Sequence, residues 1–99
     1  MFVRSYISKL GEILSVTSTK AQKTGLAVNG EYAVSNNDLS EVAFVNTDNP
    51  TATSTADVVK SLPVYPQETK IFRCPHGTLD YVGSGTLDVT LNQVISNGM

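Results

Sequence analysis

Residues 86–91, Thr-Leu-Asp-Val-Thr-Leu, alternate between polar and apolar at every step. A period of two places Leu87, Val89 and Leu91 on one face of a strand and Thr86, Asp88 and Thr90 on the other. A helix would scatter the same residues around its axis, so this segment commits the chain to a sheet with one buried face. The preceding run, Thr78-Leu79-Asp80-Tyr81-Val82, alternates in the same way, with Leu79 and Tyr81 inward and Thr78 and Asp80 outward. A three-residue loop at Gly83-Ser84-Gly85 pairs Tyr81 with Leu87 and Asp80 with Asp88. A two-residue loop would slip the register and turn Leu87 to the wrong face. Cys74-Pro75-His76-Gly77 has proline second and glycine fourth, which suits a type I turn. The expectation is a three-strand β-meander over residues 68–91, with Phe72, Leu79, Tyr81, Leu87 and Val89 on its inner face.

The rest of the chain is read against that unit. Phe2, Val3, Tyr6, Ile7, Leu10, Ile13 and Leu14 recur at a helical period and predict an amphipathic N-terminal helix within residues 1–15. Residues 15–24 read as a linker or irregular strand. Asn29-Gly30, between β-prone runs, predicts a type I′ hairpin that pairs Val28 with Glu31 and Ala27 with Tyr32. Both faces of that hairpin are apolar, so it is either sandwiched in the fold or lies in an interface. Residues 36–40 break it, and residues 41–47 form the next strand, which completes a hairpin-and-strand unit over 25–47. Residues 47–55 are a threonine-rich loop. Residues 56–62 suit one or two helical turns, stopped by Pro63. The fold expected is mainly β in a single domain over 1–99: a small antiparallel sandwich or barrel-like sheet with an N-terminal amphipathic helix, or an α+β arrangement as the alternative.

Charge limits the partners. Charged residues are 16% of the 99, where globular domains carry about 25%. Serine, threonine and asparagine take their place. With Arg4 and Arg73 the only arginines and Lys9, Lys20, Lys23, Lys60 and Lys70 scattered, no basic stripe forms, which disfavours nucleic acid. No apolar run approaches the ~20 residues needed to cross a bilayer, and the first residues do not read as a secretory signal. Cys74 has no second cysteine to pair with, which points to a reducing compartment.

Few residues could carry chemistry. Asp80 and Asp88, opposite each other in the expected meander, are the candidates for a metal such as Ca²⁺, which takes 6–8 oxygen ligands. Arg73 on the same face would neutralise them. Cys74 and His76 supply two ligands where zinc needs three or four. As a nucleophile and base, they lack a third orienting group. No catalytic residue and no cofactor is expected. Aromatic residues favour interfaces, so Phe2, Tyr6, Leu10, Tyr32, Val34 and Phe44 are the expected interface residues.

In general character, rich in Ser, Thr, Asn and Val, low in charge, with one cysteine and short strands, the chain resembles small accessory proteins of bacteriophage virions, of the capsid decoration (cement) or head-fibre type. The resemblance is one of composition over the whole length and carries no residue roles across. It implies a β-rich homo-oligomer that binds capsid or other structural subunits, without nucleic acid or membrane partners. Its place would be the virion, assembled in the host cytoplasm, or the cytoplasm if the protein is not viral. The alternative is a small β-module that binds a glycan or Ca²⁺ through Tyr65, Tyr81, Asp80 and Asp88.

Overall fold

The computed structural model describes residues 3–7, 11–50 and 62–97, with side-chain surroundings for 11–50 and 62–94. The described residues form nine strands in chain order: β1 (Val3–Ile7), β2 (Glu12–Val16), β3 (Ala21–Lys23), β4 (Gly30–Asn36), β5 (Ala43–Asn46), β6 (Leu62–Val64), β7 (Thr69–Cys74), β8 (Leu79–Gly83) and β9 (Leu87–Asn97). They form two antiparallel sheets, a small β-sandwich. In the five-stranded sheet the order is β1-β9-β4-β7, and β2 also pairs with β9. Because β4 takes the opposite side of β9, β1 and β2 lie end to end along one edge of that strand. The four-stranded sheet has the order β3-β8-β5-β6.

One core lies between the sheets. Leu14, Val16, Tyr32, Val34, Phe72, Cys74, Leu87, Val89 and Leu91 face it from the five-stranded sheet; Ala43, Val45, Val64 and Leu79 face it from the other. Every residue assigned to the inner face of the meander lands here, with Tyr81 half-buried against the core. The meander itself does not form. β7 and β9 belong to the five-stranded sheet and β8 to the other, so these side chains meet across the sandwich and not along one sheet. Alternation reports which face a residue occupies. It does not report which strand lies next to it. The turn at 74–77 does form, closed by the Gly77 amide donating to the Cys74 carbonyl at 3.2 Å. Gly77 has φ +69°, and a Cβ there would stand 2.5 Å from the Leu26 carbonyl oxygen, so both conformation and space require glycine.

Two other expectations are corrected. The N-terminal helix is replaced by strands over the described part of 1–15. β1 pairs Tyr6 with Ile95, and β2 pairs Leu14 with Val89 and Val16 with Leu87. The β-branched Val3, Ile7, Ile13 and Val16 are weak helix formers, and β9 offers eleven residues of backbone to pair with. Gly11 weighs the same way: a Cβ there would stand 2.3 Å from the Thr90 methyl, so the chain passes too close to β9 for a side chain. The Asn29-Gly30 hairpin is also absent. Asn29 alone of the pair takes positive φ, at 62°. The turn spans Ala27–Gly30, closed by the Gly30 amide on the Ala27 carbonyl at 2.9 Å, and positive φ at its third position is the type II pattern. β4 then runs between β7 and β9, sandwiched as one of the two options required. The helical turns expected at 56–62 lie outside the described residues, except Leu62, which opens β6.

Asn36 ties the two sheets together. At the end of β4 and 2% exposed, its side-chain amide donates to the Glu41 carbonyl at 2.8 Å and to the Val64 carbonyl at 2.9 Å. Its Oδ1 accepts the Asp38 amide at 2.9 Å. Its own backbone bonds the 65–68 turn through Glu68 and Gln67. Asp38 continues the loop by accepting the Glu41 amide at 2.7 Å and the Ser40 amide at 3.0 Å. Those two amides, Glu41 first, hold its carboxyl below the ordinary 3.8.

Replacing Asn36 by Ala strands one buried and two partly buried polar groups, a buried one costing about 1–3 kcal/mol and the others less because water reaches them. We expect a loss of about 2–4 kcal/mol in urea unfolding, against about 1 or less for Asn37→Ala, which breaks one exposed bond. For Asp38, the depressed pKa means that its stabilisation is fully present above 3.8 and is lost as pH falls below it. Asp38→Ala should therefore melt below the wild type at neutral pH, and the gap should close as acid titrates the carboxyl.

Candidate functional site

The outward side of the five-stranded sheet is exposed at Ile13, Ser15, Thr69 and Ile71, while Thr90, Asn92 and Ser35 at its centre are half-buried and Ala33 is buried; its rows follow from the strand registers. Ser15 and Asp88 pair at one end. Next comes the row Ile13, Thr90, Ser35 and Thr69, across β2, β9, β4 and β7. Asn92, Ala33 and Ile71 form the third row, and Val94, Glu31 and Arg73 the last. The two middle rows hold no charge. Their hydroxyls and amides bond along the face: Ser35 Oγ to Thr69 Oγ1 at 2.7 Å, and Asn37 Nδ2 to Thr90 Oγ1 at 2.7 Å. Ile13 and Ile71 stand out of it, 59% and 54% exposed. At the last row, Arg73 reaches Glu31 at 3.6 Å, so those charges answer each other inside the chain.

The other sheet's outward side is closed. Gln22, Phe44, Asn46 and Val82 are half-buried there, and Asp80 is 3% exposed. The loop after β5 covers Asp80. Gln22 Nε2 donates to its Oδ1 at 2.8 Å, and the Asn49 side-chain amide donates to its Oδ2. Gln22 and Thr78 also donate to the Asn49 backbone carbonyl. The carboxylate is thus spent in pinning the loop to β3 and β8. Outward in the sheet is not exposed in the fold, a distinction that alternation does not carry.

Three of the sheet edges carry features that hinder further strands. β3 is three residues long and ends in Lys23, which crosses the opening of the sandwich to Glu12 of β2 at 2.9 Å. On the opposite side Lys70 of β7 donates to the Pro63 carbonyl of β6 at 2.7 Å and lies 5.7 Å over the Tyr65 ring. Pro63 removes a donor from β6, and Lys70 and Arg73 charge β7. Each is a device that blocks strand addition.

The expected site residues are redistributed. Tyr32 and Val34, expected at an interface, are core residues, 7% and 0% exposed. Tyr32 stays buried because its hydroxyl accepts the Ala27 amide at 2.9 Å. Phe44 is half-buried opposite Pro63. Tyr6 belongs to β1, whose side chains are outside the description; Phe2 and Leu10 lie outside the described residues. Asp80 and Asp88 do not face each other: Asp80 pairs with Gln22 and Asn46, Asp88 with Ser15 in the other sheet. The metal candidate loses its paired carboxylates, and Arg73 goes to Glu31. Among the described residues no three His, Cys, Asp or Glu side chains gather to hold a metal. The residues that the expectations missed are Ile13 and Ile71. Glu12-Ile13-Leu14-Ser15-Val16 and Lys70-Ile71-Phe72-Arg73-Cys74 alternate, and that alternation marks both as outward once Leu14 and Phe72 are inward.

Cys74 is the last residue of β7 and wholly buried, while His76 is exposed on the following turn. Burial pushes the thiol up to about 11. The thiolate is the nucleophile, so this residue is unreactive in the native state. A chromogenic aromatic disulfide at pH 8 should label Cys74 only as fast as the protein unfolds, with prompt labelling in denaturant. Since the raised pKa favours the neutral thiol in the fold, stability should also fall as pH rises past the ordinary 9.0, and Cys74→Ala should lack that component.

Comparison with known proteins finds no matching family model, no matching curated protein and no matching solved structure.

Proposed function

We propose that this chain is a non-enzymatic structural protein that self-associates and attaches to a larger assembly, as an accessory subunit of a virion that decorates or stabilises the capsid. The observation that supports it best is the outward side of the five-stranded sheet. Two uncharged rows of hydroxyls, amides and small aliphatics run across it, with Ile13 and Ile71 exposed at its two sides. Interface cores are depleted in charge in the same way.

Three of the chemistry-bearing side chains are consistent with the non-enzymatic part, while His76 and Asp88 are exposed. Cys74 is buried and protonated, Asp80 is held by two amides, and Asn36 spends its side-chain amide and oxygen on three backbone groups. None is left to act on a substrate. The virion as the setting rests on the composition alone, with capsid or other structural subunits as partners and no nucleic acid or membrane.

Light scattering behind a sizing column, on the full chain across a dilution series, tests self-association. The expected result is a mass above that of one chain that rises with concentration. A mass of one chain throughout would overturn the reading.

A further inference from the structure

We propose that the chain self-associates through the free edge of β2, and that the occupant of that edge is β2 of a second copy, paired antiparallel about a two-fold axis at Leu14. The inference rests on the reading that the chain self-associates and goes on to say where and how.

The ladder hydrogen bonds show which backbone groups of β2 are free. In an antiparallel pair the N–H and C=O of one residue point to the same neighbour, and alternate residues point to opposite sides. The Asn36 amide donates to the Glu68 carbonyl and the Asn36 carbonyl accepts the Gln67 amide, so the even-numbered residues of β4 face β7 and the odd-numbered ones face β9. Glu31, Ala33 and Ser35 therefore bond Val94, Asn92 and Thr90. The Asn37 amide continues the series by donating to the Asp88 carbonyl at 3.3 Å. Leu87, Val89 and Leu91 are left to bond β2, through Val16, Leu14 and Glu12. Ile13 and Ser15 then turn their N–H and C=O groups away from β9. The Thr17 carbonyl, next in that series, also faces away and accepts the Gly83 amide at 2.7 Å. No described residue bonds the backbone groups of Ile13 and Ser15, and both residues are exposed.

This edge differs from the others. Pro63 in β6, Lys23 in β3, and Lys70 and Arg73 in β7 hinder strand addition elsewhere. β2 has no proline, and its register with β9 runs without a shift. Its one charge, Glu12 at its first position, is answered by Lys23 at 2.9 Å.

The spacing of the free groups selects the occupant. An unpaired edge takes an extended strand whose own edge is unpaired and unguarded. Among the described strands β2 meets both conditions; β1, on the same side of β9, carries a register shift between Val3 and Ser5. A two-fold axis at Leu14 sets Ile13 of each copy opposite Ser15 of the other. Two hydrogen bonds at each of those two pairs then use every free group of both residues. A register shifted by one residue would set each free residue against one whose groups are turned to β9. Glu12 meets Val16 of the other copy and Leu14 meets Leu14, so no like charges are opposed. The pairing joins two five-stranded sheets into one. It covers far less than the ~800 Å² per partner of a standard interface. The dimer is accordingly weak and dissociates on dilution, and further contacts in a larger assembly would hold it.

The test is the same dilution series on Ser15→Pro. That change removes an N–H that the single chain leaves free, and proline is accepted where an edge N–H faces outward. Ile71→Pro is the control, because Ile71 turns its N–H to the free side of β7 in the same way. Thermal melting by circular dichroism checks the fold of each. The expected result is association weakened about tenfold or more by Ser15→Pro and unchanged by Ile71→Pro. A second measurement uses an equimolar mixture of Ile13→Cys and Ser15→Cys chains under oxidation by copper phenanthroline. Hydrogen-bonded partners stand about 5.5 Å apart at Cα, within reach of a disulfide, so the mixture should cross-link several-fold more than either variant alone. Where a proline variant does not melt cooperatively, the cross-linking decides. If the wild type associates and folded Ser15→Pro keeps its concentration dependence, or the mixture cross-links no better than the single variants, the edge assignment is overturned while self-association stands. If the wild type is a single chain at every concentration, both fall together.

Discussion

The carboxamide of Asn36 is the point on which the two sheets depend for their alignment. β4 ends there in one sheet, and the chain must cross to begin β5 in the other. A crossing loop brings unpaired backbone groups into the interior, and each needs a partner. One side chain meets that need on three sides. It bonds the Glu41 carbonyl at the far end of the loop, the Val64 carbonyl in the opposite sheet and the Asp38 amide within the loop. An amide suits this place because it both donates and accepts without carrying a charge into a dry interior. The lysines clasp the two open sides of the sandwich at the surface, where an ion pair contributes about 1 kcal/mol or less. Asn36 sets the spacing from within.

The sequence was legible to the extent that a pattern depends on the residue itself. Leu79, Leu87, Val89, Leu91 and Phe72 were assigned inward and are buried; the turn at 74–77 and the break after residue 36 stand where turn chemistry put them. What was not legible depends on a second segment. The pairing of β7, β8 and β9 required knowing that successive strands change sheets, and alternation is the same for hairpin neighbours and for strands facing each other across a core. The helix read over residues 2–14 failed for a related reason. Leu14 fits a 3.6-residue stripe and a two-residue alternation equally well, and the edge of β9 decides between them. Asn29-Gly30 marked a turn but not its register. Asn36, in a polar run that reads as loop, carried no sign that it would be 2% exposed.

The same limit governed the candidate site. Aromatic residues favour interfaces in general, yet a chain without tryptophan needs its Tyr32 and Phe72 for the core. The outward residues that remain are small, hydroxylated and amidic, with two isoleucines among them. The low charge of the whole chain, unusual for a soluble domain, has a local expression in those two neutral rows.

The place of β9 has a consequence for synthesis. It pairs with β1 and β2 on one side and β4 on the other, so strands from the beginning of the chain have no common neighbour until residues 87–97 have been made. Until then β1 and β2 lack the strand they pair with, and β4 has only β7. Closure of the five-stranded sheet then depends on contacts distant in sequence, a topology associated with slow folding and prolonged exposure of unpaired strands. The charged and proline-bearing edges that guard the finished sandwich give no cover to the uncharged β4 segment Tyr32-Ala33-Val34-Ser35 during that interval. High expression would strain this protein before β9 is in place more than after it, and chaperone engagement of chains lacking β9 would be the cellular sign.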